Sequence, residues 1–126
     1  MNDSFNIDEL KKIKKATSGF FKKKAREKIA ISLIRMKKEV DNIYKLYPLK
    51  NLKPTKEHRK KFLELMNKYT SKRQNALLSG AGSYSHPEWA AAAACESWAY
   101  LLMAGTDEEV SYANNLIQDL IDAGTS

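Results

Sequence analysis

Three side chains in this sequence have the chemistry to act near neutral pH: His58 and His86, its two histidines, and Cys95, its one cysteine. A protein zinc site takes three or four ligands, and neither histidine falls in an HExxH or ExxH spacing that would set two ligands on one helical face. His86, Pro87 and Glu88 have the His-x-Glu form of certain zinc sites, but that form also needs two cysteines two residues apart further along, and only Cys95 follows. Both histidines therefore read as surface or capping residues. Cys95 has no Lys, Arg or His near it in sequence to stabilise a thiolate, so it reads as a small buried hydrophobe.

The segment Gly80 to Ser85 precedes a helix start and could cradle an anion on backbone amides. It lacks the lysine of a P-loop and the third glycine of a dinucleotide fingerprint, and it reads as an interhelical turn. No catalytic residue, metal site, cofactor or small-molecule substrate is expected, and the chain reads as non-enzymatic. A single thiol also excludes an internal disulfide framework, which makes a reducing cytoplasm the simplest home. Asp3, Asp8 and Glu9 stand where a signal peptide would need a basic end and an apolar run.

Charge is the most informative property. The chain has 126 residues and a net charge of +7, and all 22 Lys and Arg lie between Lys11 and Arg73. Residues 1–73 carry 8 of the 15 acidic side chains, giving 22 − 8 = +14, whereas residues 74–126 carry the other 7 and no base, giving −7. One domain spanning 1–126 is expected, with a basic half (1–73) and an acidic, apolar half (74–126) that cover one another in part. Asp119 and Asp122 should then lie near bases.

Punctuation places the elements that carry these charges. Asn6 with Glu9 has the form of a capping box, and Leu10 and Ile13 follow, so a first helix is predicted from Ile7 to about Thr17, broken by Ser18-Gly19. From Phe20 to Tyr47 the apolar residues Ile29, Leu33, Met36, Val40, Ile43 and Tyr47 recur every three or four positions, the seam of a long helix ended by Pro48. Thr55 should cap a third helix from about Lys56 to Leu78, with Phe62, Met66, Tyr69 and Ala76 on one face and Gly80 beyond its end. Ser85 and Glu88 suggest a box around Pro87 for a fourth helix ending near Ala104. Thr106 and Glu109 suggest another for a fifth, which carries Val110, Ala113, Ile117 and Leu120 and ends near Asp122. The expected fold is all-α: a single five-helix domain with a long antiparallel helical hairpin in the basic half and a shorter one at the C-terminal end.

Ala90 to Ala94, between Trp89 and Trp98, removes side-chain bulk and lets helices approach closely. Burial of that segment is expected, with self-association through Trp89 and Trp98, or homodimerisation through the seam of helix two, as the functional alternative.

The candidate binding residues are Lys11, Lys12, Lys14, Lys15, Lys22, Lys23, Lys24, Arg26, Lys28, Arg59, Lys60 and Lys61. Lys22 and Arg26 fall one heptad before Ile29 and Leu33, so the apolar seam gives way to charge at the start of helix two, where lysines also oppose the helix dipole. The leading expectation is a polyanion, nucleic-acid backbone read without strong sequence preference, since Arg, Asn and Gln are scarce in the basic half. The alternatives are an inhibitor, immunity or adaptor protein docking through charged helical faces, with an acidic partner, and a membrane surface met by Ile7, Leu10, Ile13, Phe20 and Phe21.

Overall fold

A helix that is apolar on every side has to be covered on every side, and that requirement organises this molecule. The computed structural model describes residues 6–19, 21–82 and 85–126, and places five helices there: α1 (Ile7–Gly19), α2 (Lys23–Leu46), α3 (Lys56–Leu78), α4 (Pro87–Ala104) and α5 (Asp107–Thr125). Every residue from Trp89 to Ala99 is buried, and α4 touches all four other helices. The largest interfaces are α3 on α4 and α2 on α5. No helix of the described residues is long and apolar enough to cross a membrane.

The seam of α2 is buried as its spacing requires, with Ile29, Leu33, Met36, Val40 and Ile43 in the core. The helix α2 runs antiparallel to α3: Tyr44 meets Phe62 edge to face at 5.6 Å, and further along Glu39 accepts hydrogen bonds from Lys68 Nζ (2.8 Å) and Tyr69 O–H (2.6 Å). Their backbones nevertheless approach each other little, because α4 supplies the larger partner surface for α3. The alanine run explains the depth of that α3–α4 contact, since side chains of one carbon let the axes close in.

Capping decides where the helices start. Thr106 and Glu109 form the expected box, Glu109 N–H donating to Thr106 Oγ1 (3.1 Å) and Thr106 N–H to Glu109 Oε1 (2.9 Å). Thr55 caps α3 with His58 in the place usually held by Glu or Gln, Nδ1 accepting the Thr55 amide at 2.9 Å. At α1, Asn6 Oδ1 accepts the Asp8 amide, one residue short of Glu9. The Ser85/Glu88 box does not form. With Pro87 as first helical residue the cap position passes to His86, which puts Glu88 second rather than third in the helix and out of box register.

Helix ends differ from expectation at two glycines. The helix α1 continues through Ser18 to Gly19, the Ser18 hydroxyl donating back to the Lys14 carbonyl. The last helix continues through Gly124 because that glycine is a contact point: a Cβ there would overlap the Arg26 carbonyl oxygen and the Ala30 methyl, so its absence lets the end of α5 lie on the backbone of α2. Gly80 behaves as predicted. At φ +90° it closes α3 in a Schellman motif, its own N–H donating to Leu77 O (3.1 Å) and Ala81 N–H to Ala76 O (2.8 Å). Phe20, and Ser83 and Tyr84 in the loop after α3, lie outside the described residues.

Candidate polyanion-binding surface

The fold splits the twelve candidate cations into three environments. Lys14 and Lys11 face α5: Lys14 Nζ bonds Asp119 Oδ2 at 2.7 Å, and Lys11 Nζ stands 5.3 Å from the Tyr112 ring centroid. Arg59, Lys60 and Lys61 begin α3, beside the C-terminal end of α2, where the next ring along, His58, meets Tyr44 and Tyr47. Lys61 is paired there with Glu64 at 3.2 Å. Lys12 and Lys15 lie on α1, and Lys22, Lys23, Lys24, Arg26 and Lys28 lie at the α1–α2 joint and the first turns of α2. From Arg26 to Tyr44 is 18 residues of helix, about 27 Å at 1.5 Å per residue, so the cations at the start of α2 and those at the start of α3 lie at opposite ends of α2.

At the α1–α2 corner positive charge stays exposed. Lys12, Lys15, Lys22, Lys23, Lys24 and Lys28 are all exposed, and among the described residues none of them is in an ion pair. Between Lys11 and Lys38 the sequence has a single acidic residue, Glu27. The first turn of α2 contains no carboxylate, and its cap residue, Lys22, accepts no side-chain bond. Exposed lysines therefore flank a helix start whose cap residue makes no side-chain bond, at the positive end of a helix dipole, an arrangement that gains from an anion brought to it. Arg26 differs from its neighbours. Its guanidinium turns inward and donates to the Phe21 carbonyl at 2.6 Å, tying the joint together.

Acidic compensation is real but local. Lys14–Asp119 and Arg73–Glu96 (2.7 Å) join the two halves, while Asp122 accepts from Gln118. The end of α5 does come against the start of α2, through Gly124, and lays the negative end of one dipole beside the positive end of the other.

Trp89 and Trp98 are 9% and 5% exposed, and Trp98 Nε1 donates to Asn114 Oδ1 (2.9 Å). The surface they would offer a second copy is already covered by this chain. Likewise Leu10, Ile13 and Phe21 are in the core, so the segment expected to meet a membrane is occupied in holding α1 and the joint to the bundle. The α2 seam is similarly spent on α4 and α5. His58 is a capping residue, as read from sequence, but it is also fully buried beneath Tyr44, Tyr47 and Phe62.

Cys95 is buried, its Sγ 4.0 Å from the Ser32 carbonyl oxygen, beside a cavity of about 210 Å³ that Ser32, Arg35, Tyr69 and Lys72 also line. Burial, followed by the nearby Glu39 carboxylate, pushes its thiol well above the ordinary range, and burial does the same to the Tyr69 phenol. A raised folded-state value stabilises the fold below the unfolded thiol's ionisation and loses that contribution as pH rises, because only the unfolded chain then sheds the proton. Stability should hold through neutral pH and fall from about pH 8.5 upward. In Cys95→Ala the fall should begin later, near the tyrosine range at about pH 10. Urea midpoints against pH for the two proteins check this, and identical curves between those values would contradict it.

Comparison with known family models, with curated proteins and with solved structures finds no match for this chain.

Proposed function

We propose that the protein is a binding module, and that the α1–α2 corner engages the phosphodiester backbone of nucleic acid without strong sequence readout. The observation that carries this reading is the exposed set Lys22, Lys23, Lys24 and Lys28 at a helix start with no side-chain cap and no acidic residue in its first turn, preceded on α1 by the exposed Lys12 and Lys15. Lysines on flexible stems suit a repeating line of phosphates, each contact releasing condensed counterions. Backbone positioning of this kind carries no base code, which agrees with the scarcity of Asn and Gln at the corner. The surviving cations at the start of α3 lie too far away to share one short contact surface.

The test is charge removal that spares the fold. Lys22, Lys23, Lys24 and Lys28 are exposed and, among the described residues, in no ion pair, whereas Arg26 secures the joint and should stay. Replacing the four lysines by Gln should leave thermal unfolding within about 1 kcal/mol of the parent protein. It should weaken binding to single-stranded and duplex oligonucleotides alike, and lower the magnitude of the slope of log affinity against log salt by about 3. If the parent protein binds neither oligonucleotide at micromolar concentration, nucleic acid is ruled out and an acidic protein becomes the partner to seek.

A further inference from the structure

The opposite end of the molecule carries a second feature, built on a strained leucine. Between α2 and α3 the chain makes a two-residue turn, Lys50 and Lys53 exchanging both backbone hydrogen bonds (3.1 and 3.0 Å), with Asn51 at φ +52° and Leu52 at φ +62°. Both central residues are left-handed, the condition of a type I′ turn, which favours Asn or Gly at each position. Asn51 fits that demand and Leu52 does not, because its Cβ crowds the following carbonyl. Leu52 is also 89% exposed, the most exposed large apolar side chain among the described residues, and Leu46 and Leu49 beside it are 63% and 43% exposed. A residue that is both strained and solvent-exposed contributes nothing to this fold that Asn or Gly would not contribute better.

The charge around the tip is equally one-sided. From Lys45 to Lys60 the sequence has Lys45, Lys50, Lys53, Lys56, Arg59 and Lys60 against Glu57 alone, and all six cations are exposed. The turn leads directly into a capped helix, since Thr55 and the buried His58 cap α3 against Tyr44 and Tyr47. A groove of about 480 Å³ lies between the turn and the start of α5, where Asp107 lines the far wall.

We infer that this end docks on an anionic lipid bilayer, with Leu52 inserted at the interface and the surrounding lysines on acidic headgroups. A protruding aliphatic tip ringed by cations matches the layering of a bilayer surface, apolar below and negative at the headgroups. Leucine offers no ring for a nucleic-acid base to stack on, which separates this end from the α1–α2 corner. Asp107, Glu108 and Glu109 at the start of α5 are repelled by the same surface, so the molecule would meet it with the turn leading and α5 tilted away.

Co-sedimentation with phosphatidylcholine vesicles, with and without phosphatidylserine, tests the inference. The unaltered protein should pellet only with the phosphatidylserine vesicles. Leu52→Asn keeps the turn and relieves its strain, so the variant should melt no lower than the parent while its vesicle affinity falls about tenfold. Lys50→Gln and Lys53→Gln should each cost about fivefold. A variant with Lys22, Lys23, Lys24 and Lys28 replaced by Gln should still pellet with less than the tip variant's loss, and so separates this surface from the corner. Failure of the unaltered protein to bind phosphatidylserine vesicles overturns the inference. So does undiminished binding by Leu52→Asn, which would leave only general attraction between a basic protein and a negative surface.

Discussion

Replacing Arg73 by Met is expected to cost about 3–5 kcal/mol of folding stability, a large share of the roughly 5–15 kcal/mol that holds a domain of this size. Arg73 Nε donates to Glu96 Oε1 at 2.7 Å across the α3–α4 interface, and the two side chains are only 15% and 7% exposed. Glu96 lies on the helix that the rest of the molecule encloses, so removing its cation leaves a carboxylate with water excluded and no countercharge. The cost belongs to the orphaned charge rather than to the bond, and that gives the prediction its sharper form. The double variant Arg73→Met/Glu96→Met should recover most of the loss, because a well-packed apolar pair often equals a buried ion pair in stability. Urea unfolding of the parent, both single variants and the double variant closes the cycle. A double variant whose loss equals the sum of the two single losses would show that Arg73 and Glu96 contribute through separate contacts.

Phe62→Ala should be of similar size, about 3–5 kcal/mol. The ring is fully buried, edge-on to Tyr44 at 5.6 Å and tilted against His58 at 6.5 Å, at the place where α3 meets the end of α2. Truncation forfeits the burial and leaves a cavity that His58 cannot close without breaking its cap on Thr55. Amide exchange should therefore accelerate in the segment from Tyr47 to Thr55 as well as in α3, and Phe62→Leu, which keeps most of the volume, should cost far less. A loss below about 1 kcal/mol with unchanged exchange would mean that this end of the bundle collapses freely around the gap.

Helix positions were the most legible part of the sequence, because spacing and caps are local properties. The seam of α2, the Thr106/Glu109 box and the Lys56–Leu78 extent of α3 could each be read from a few neighbouring residues. The two glycines stay helical in different settings: Gly124 lies against the backbone of α2, whereas a Cβ at Gly19 would meet nothing within 4 Å and Gly19 is the last residue of α1, after a Ser18 hydroxyl turned back on the Lys14 carbonyl. Helix pairing was less accessible. Short connections suggest neighbours in space, but the apolar circumference of α4 claims α3, and α2 finds its largest interface with α5 instead.

The candidate residues show the same boundary between local and global information. That the lysines are dense was evident from sequence, but which of them remain available depends on tertiary structure. Lys14 is taken by Asp119, Lys61 by Glu64, and Arg26 by the Phe21 carbonyl, while Arg59 and Lys60 stand a helix length away from the corner. Leu52 carries no signal in the sequence because its type is ordinary in a loop, and only its backbone angle and exposure set it apart.

The central claim, that the α1–α2 corner is the polyanion surface, is tested most directly by following backbone amide shifts while a short single-stranded oligonucleotide is titrated into the folded protein. Progressive shifts are expected at Lys12, Lys15 and Lys22 through Lys28, including the amides of the first turn of α2, with Arg59, Lys60 and Lys61 left in place. Shifts centred on the start of α3, or no shifts at an oligonucleotide excess in low salt, would contradict it.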